Sequence, residues 1–376
     1  MKKILFIIHE ASETGAPLVI LNLLESSYSN QYECFVLSLY GGKIENELRK
    51  KAKVSILNKK IKKSVFNKIS NKMFNFENEF LKKAKDGFFD LVYVNSLACF
   101  SRLPNLDFLS NNKTILNVHE GPVLTENLNI HDAIVENILK FSSLIFVSEF
   151  AKESFNSKYN IEKSSQYVIP PVIRNLEEKQ TDFKHLDVSD NSFIVSSSGS
   201  LNYTKGVDLF IQVAKLVIEK AKENNPIYFV WIGTNGNNEI RNHFFNDIKK
   251  IGLENKVIVM SNTTNIISCF RETDVFFLPS REESFSMVAM ENAFLGNPVV
   301  CFDNGNGAIE FINNENGYVV PYLDTQAAAN AILEMYNERS YLHEKSQAAK
   351  KMSANFSGDN SAKKIFEVID RTINAN

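Results

Sequence analysis

Two glutamates, Glu283 and Glu291, stand eight residues apart around the apolar run of "ESFSMVAME". The run lies between "DVFFLP" and "PVVCF", both continuous enough in apolar residues to be buried strands. It therefore reads as a strand-end loop feeding a helix whose first turn would be residues 284–287. First-turn amides have no partner within their helix and carry the positive end of its dipole, so they attract anions. Carboxylates beside them accept from hydroxyls. Hydroxyls at both ends with a diphosphate between them describe a sugar nucleotide. The competing reading is a solvated helix surface, and Glu282 fits that reading as a bystander.

Three further positions carry chemistry. Gly15, in "HEASETGAP", precedes Pro17, a residue suited to the start of a helix, so its loop is either an anion cradle or a tight turn. Lys205, beside Gly206 in "SGSLNYTKG", could meet a phosphate as a point charge or be a solvated loop lysine. His119, in "HEGP", is either a group that meets a ligand or a satisfied strand-end histidine.

These residues need elements to hold them. Short apolar runs alternate with amphipathic stretches along the whole chain: "KILFII", "CFVLSL", "KVSIL", "DLVYVNS", "KTILNV", "LIFVS" and "QYVIPP", then "SFIVSSS", "PIYFVWIG", "KVIVM", "DVFFLP", "PVVCF" and "GYVVP". Such strands between helices predict parallel sheets covered on both faces. The polar stretch 174–191 breaks the pattern. The fold class is therefore α/β, with two Rossmann-like doubly wound domains. They span residues 1–173 and 192–358, joined by a linker at 174–191. Residues 359–376 form a last helix that could pack back on the first domain. Ligands in such sheets bind beyond the carboxyl ends of the strands, and with two domains the cleft between them is the expected site.

The 376 residues allow two cores. A net charge of −2 argues against a dedicated nucleic-acid binder. The four cysteines, Cys34, Cys99, Cys269 and Cys301, are scattered and form no zinc pattern, so a reduced cytosolic compartment is expected. "ILFII" is too short for a secretory core and reads as a first strand, and no window is long and apolar enough to span a membrane. Residues 53–76 interleave lysines with Phe66, Ile69, Met73, Phe74 and Phe76. They form either a helix packed on the sheet or a face for an anionic membrane surface. There is no DxD pair for a metal, no Walker A loop and no GxSxG elbow.

Taken in order, these blocks resemble a family. "ESFSMVAME" resembles the E-x7-E motif of retaining glycosyltransferases of family 4, which have the GT-B fold. The glycine loop, "HE", "SEF", "VIPP", "GSLNYTKG" and "GNGAIEFINNENGYVV" follow in the family's order along nearly the whole chain. The resemblance implies that Glu283 meets donor-sugar hydroxyls and Glu291 the ribose. Lys205 would neutralise the diphosphate, with the amides of Phe285, Ser286, Met287 and the Gly15 loop. His119 would lie at the reaction centre, and Asn262 and Thr263 near the base. Ser200 falls in the donor site where the family usually has arginine, so a second cation would come from elsewhere, such as Arg281 or Arg174. Ser284 and Ser286 replace the usual glycines.

The implied activity is metal-independent transfer of a hexose from a UDP- or GDP-linked donor to an acceptor hydroxyl, with retention and no further cofactor. The acceptor would be a glycan or lipid-linked molecule in cell-surface polysaccharide or glycolipid assembly. The enzyme would be cytoplasmic and peripheral on the inner face of the membrane. The alternatives are a sugar-nucleotide epimerase on the same fold and a non-catalytic nucleotide-sugar-binding subunit.

Overall fold

Runs such as "KILFII" and "IYFVWI" have no polar face, so strands built from them must be covered on both sides. Both become inner strands of parallel sheets. The computed structural model describes residues 1–58, 78–103, 105–128, 132–161, 165–174, 176, 186, 188–189, 191–221, 226–261 and 266–375. The chain divides into two units, residues 1–174 with 358–376, and residues 175–357.

The first unit runs β1 (Lys2–Ile8), α1 (Gly15–Glu25), β2 (Tyr32–Tyr40), α2 (Glu45–Lys51), β3 (Lys53–Asn58), α3 (Glu79–Lys85), β4 (Leu91–Asn95), β5 (Lys113–Val118), α4 (Pro122–Asn127), α5 (Asp132–Leu139), β6 (Ser143–Phe146), α6 (Glu149–Tyr159) and β7 (Gln166–Val168). Its sheet has the order β3-β2-β1-β4-β5-β6-β7. β1 pairs on one side with β2 (Ile4 opposite Cys34) and on the other with β4 (Ile4 opposite Leu91). The order reverses between β1 and β4, which opens a crevice beyond their carboxyl ends. The expected strand "QYVIPP" stops at Val168, because Pro170 and Pro171 have no N–H to continue a ladder. Of the basic stretch, residues 53–58 are β3; residues 59–76 lie outside the described residues.

The second unit runs β8 (Phe193–Ser198), α7 (Val207–Lys220), β9 (Ile227–Ile232), α8 (Asn238–Lys250), β10 (Val257–Met260), α9 (Ile266–Arg271), β11 (Val275–Leu278), α10 (Met287–Leu295), β12 (Val299–Phe302), β13 (Gly317–Val320), α11 (Thr325–Asn337) and α12 (Arg339–Ser353). The order β10-β9-β8-β11-β12-β13 reverses between β8 and β11. The fully buried Trp231 packs edge-on against Phe210 and Phe244, joining β9 to α7 and α8. Within the polar stretch 174–191, Leu176 and Leu186 are buried, and α9 holds them: Arg271 donates to the Leu176 carbonyl, and Leu186 N–H donates to Glu272 beside that helix.

The last helix, α13 (Gly358–Asn374), belongs to the first unit. Phe366 stacks on Tyr32 at 5.0 Å, and the hydroxyls of Ser143 and Thr372 meet at 2.9 Å.

Candidate functional site

The loops after β8 and β11 leave the sheet on either side of its reversal, so their residues meet although they are far apart in sequence. Lys205 comes from the first loop and Glu283 from the second. Their Nζ and Oε2 are 2.5 Å apart. Ser280 Oγ also donates to Glu283 Oε2, at 3.1 Å. Lys205 is fixed from behind: its N–H donates to Asn202 Oδ1. Gly206 then turns the chain into α7 with φ of 67°, and a Cβ there would lie 1.9 Å from the Pro279 carbonyl oxygen. Only glycine fits that turn. Glu283 is held by its backbone, which pairs with Gly305 and Gly307 on either side of Asn306.

Arg281 braces this arrangement. It forms a two-pronged ion pair with Asp208, at 2.9 and 2.8 Å, and stacks on Tyr203 at 3.7 Å. It also donates to the Tyr203 carbonyl. Arg281, one candidate source of the missing diphosphate cation, is thus paired with a carboxylate of its own unit. Ser200 is exposed.

The helix after Glu283 begins later than its sequence suggests. α10 starts at Met287, and Ser286 is its N-cap, with Oγ accepting from Ala289 N–H at 3.3 Å. The expected first turn at 284–287 thus moves to 287–290. A serine in place of the family's glycine supplies the cap. Phe285 turns inward against Phe311, with ring centroids 5.2 Å apart. Glu291 is fully buried, so it meets a ligand only where neighbouring side chains move aside. Asn262 and Thr263 lie outside the described residues.

In the first unit the reversal brings together the ends of β1, β4 and β5. α1 begins at Gly15, so Pro17 is its third residue, still within the turn whose amides lack helical partners. Asn95 at the end of β4 connects Gly15's helix to His119: its Nδ2 donates to the Ala16 carbonyl at 2.8 Å, and its Oδ1 lies 2.8 Å from His119 Nε2. Burial, helped by nearby His9, pushes the His119 imidazole down to about 3, so it is neutral at physiological pH. His9 is also lowered, first by its own burial. Glu120 is buried; its carboxyl is pushed up by that burial, against hydrogen bonds from Ser96 and the amides of Leu97, His119 and Ala98.

Asn95, Ser96 and His9 were not marked by sequence reasoning. "VYVNS" reads as the tail of a strand, and only the β4–β5 register shows that residues 95 and 117 are neighbours. A cavity of about 440 Å³ in this unit, lined by Lys3, Lys53 and Phe88 among others, lies at the amino ends of the strands, away from His119.

Residues 178–352 match the family model "Glycosyl transferases group 1". The match covers most of the second unit. Among curated relatives, a D-inositol 3-phosphate glycosyltransferase of Corynebacterium diphtheriae is 23% identical over 201 residues, covering 53% of this chain and 46% of the relative. A poly(ribitol-phosphate) alpha-N-acetylglucosaminyltransferase of Staphylococcus aureus is 25% identical over 205 residues, covering 54% of this chain and 38% of the relative. The chain thus spans about half or less of these relatives' length. The crystal structure of HepE from Anabaena with UDP-glucose superposes with a TM-score of 0.80 at 18% identity, covering 98% of this chain and 100% of that one. The chain has the GT-B fold.

Proposed function

We propose that the protein is a retaining glycosyltransferase of family 4 that moves a hexose from a nucleoside diphosphate sugar to an acceptor hydroxyl. The observation that carries this reading is the Lys205–Glu283 pair placed just before the free amides of α10. In the reaction the bond from the sugar's C1 to the diphosphate oxygen breaks. A bond from C1 to the acceptor oxygen forms on the same face, and the acceptor hydroxyl passes its proton to the departing diphosphate oxygen. Negative charge grows on the departing diphosphate. Lys205 and the amides of Met287 and Val288 stabilise it, a preorganised arrangement that routes the charge through the protein rather than a metal. Glu283 accepts from hydroxyls of the donor sugar. His119, neutral, stands at the sugar as a hydrogen-bonding group, with the Gly15 turn near the phosphates. Glu291 keeps the ribose, and Asn262 and Thr263 the base.

The donor is UDP- or GDP-linked in this reading; a structural neighbour solved with UDP-glucose supports a nucleoside diphosphate sugar. The acceptor is a glycan or lipid-linked molecule of cell-surface polysaccharide assembly, and the enzyme works in the cytoplasm at the membrane face. No helix among the described residues is long and apolar enough to cross a membrane. Neither epimerase nor non-catalytic subunit is favoured by the comparisons. The test is a thermal-shift screen of nucleotide sugars, because a ligand that binds only the folded state raises the melting temperature. Anomeric NMR of the transferred product follows. A matching donor should stabilise the fold and give product with the donor's configuration; inverted product would remove the retaining assignment.

A further inference from the structure

We infer that Asn95 and Ser96 act together as positioning residues that set the ring and the main chain of His119 for the reaction; this rests on the reading of His119 as a group at the donor sugar. Two consecutive side chains at the end of β4 hold two consecutive residues at the end of β5.

The ring is set by Asn95. Its Nδ2 is committed to the Ala16 carbonyl, which can only accept. Flipping the amide would place two acceptors against each other, so Oδ1 must face His119. Asn117 Nδ2 donates to the same Oδ1 at 3.3 Å, which fixes that orientation a second time. An amide oxygen cannot donate, so the proton of the neutral imidazole sits on Nε2 and Nδ1 is the acceptor nitrogen. Asn95 thus selects one tautomer and one ring orientation while tying both to the start of α1.

The main chain is set by Ser96. Its hydroxyl donates to Glu120 Oε1. Glu120 Oε2 accepts in turn from the His119 N–H at 2.9 Å. Asn95, Ser96 and Glu120 are 0%, 2% and 3% exposed. Ser96 also has φ of 95°, a conformation that a serine adopts only when its surroundings impose it. Buried polar groups and backbone strain are costly to a fold. Here both converge on one histidine. Of the other titratable groups, His9 acts on that ring, and Glu10 and Arg102 act in turn on His9.

The test uses the full chain and reads nitrogen NMR of the imidazoles beside transfer kinetics. Native His119 should show one tautomer, protonated at Nε2, with no titration between about pH 5 and 8. Asn95→Asp keeps the shape but sets a carboxylate against the ring. It should bring His119 protonation into that window and add a limb to the pH–rate profile. Asn95→Leu should mix the tautomers and lower kcat about tenfold, the factor of roughly one hydrogen bond, with the donor KM little changed. Ser96→Gly relieves the positive φ while removing the hydroxyl. It should hold or raise the melting temperature and still lower kcat, which a merely structural serine would not do. A proton found on Nδ1, or a ring that Asn95→Asp leaves unchanged, would overturn the inference. A chain that transfers no sugar would remove the proposed reaction, yet the NMR readout would still decide what Asn95 does to His119.

Discussion

Lys205 Nζ and Glu283 Oε2 lie 2.5 Å apart, so the two residues proposed to hold the diphosphate and the sugar neutralise each other before any donor arrives. A diphosphate must compete with Glu283 for the lysine. When it does, the carboxylate is released for hydroxyls, and the two halves of the donor are recognised together.

The competition gives the first prediction. Glu283→Gln removes the rival charge and leaves an amide of the same shape. An ion pair of this partial exposure is worth at most about 1 kcal/mol. Affinity for UDP or GDP alone should therefore rise, by up to roughly fivefold. Transfer should fall, because a neutral amide holds hydroxyls less strongly. Calorimetry with the bare nucleotide beside steady-state kinetics checks both. Weaker nucleotide binding in Glu283→Gln would sink the competition.

Lys205→Ala has the opposite signature. A charge-assisted contact is worth about 1.5–3 kcal/mol, so transfer should slow by roughly ten- to a hundredfold and nucleotide affinity should drop. Lys205→Arg should recover only part of this, since the site is built for a compact charge beside Gly199, where a Cβ would lie 3.3 Å from Lys205 Cγ. Full activity in Lys205→Ala would remove the lysine from the reaction.

His119 yields a pH prediction. Its native value of about 3 lies below the ordinary 6.5, so between these the unfolded chain binds the extra proton. Stability from this group is present above about pH 6.5 and is lost as pH falls toward 3. Glu120, with its carboxyl raised, works in the other direction, so the clean measure is a difference. The melting-temperature advantage of the native chain over His119→Gln should shrink steadily on acidification below pH 6.5. By the same shift, the acid limb of kcat/KM should not fall near pH 6.5; a limb there that His119→Gln abolishes would mean the ring titrates normally.

How much of this was readable beforehand depends on what each feature needs. The parallel strands were legible because two-sided burial writes continuous apolar runs, and Lys205 and Glu283 were legible as small, polar strand-end loops. Their ion pair was not, since it requires knowing that β8 and β11 are neighbours. The start of α10 was misplaced because Ser286 looked like a gap in a glycine motif when it is the cap of the helix. Arg281 looked like a spare cation; Asp208, distant in sequence, is what occupies it. Asn95 and Ser96 carried no signal, because an asparagine and a serine ending a strand are ordinary until a register sets a histidine beside them.

Arg281 gives the last prediction, in which brace and ligand separate cleanly. If its role is to hold the 199–206 loop through Asp208 and Tyr203, then Arg281→Lys should act as a loss despite keeping the charge, because an ammonium cannot make the two-pronged pair or the flat stack. Asp208→Asn should act in the same direction, since it breaks the same brace from the other side. Each should lower stability by about 1 kcal/mol and weaken nucleotide binding through a displaced Lys205. A direct diphosphate cation predicts otherwise: Arg281→Lys would keep much of the affinity, and Asp208→Asn would raise it by removing a competing carboxylate. Calorimetry of UDP and GDP on the two variants decides, because the sign of the Asp208→Asn effect differs between the two roles.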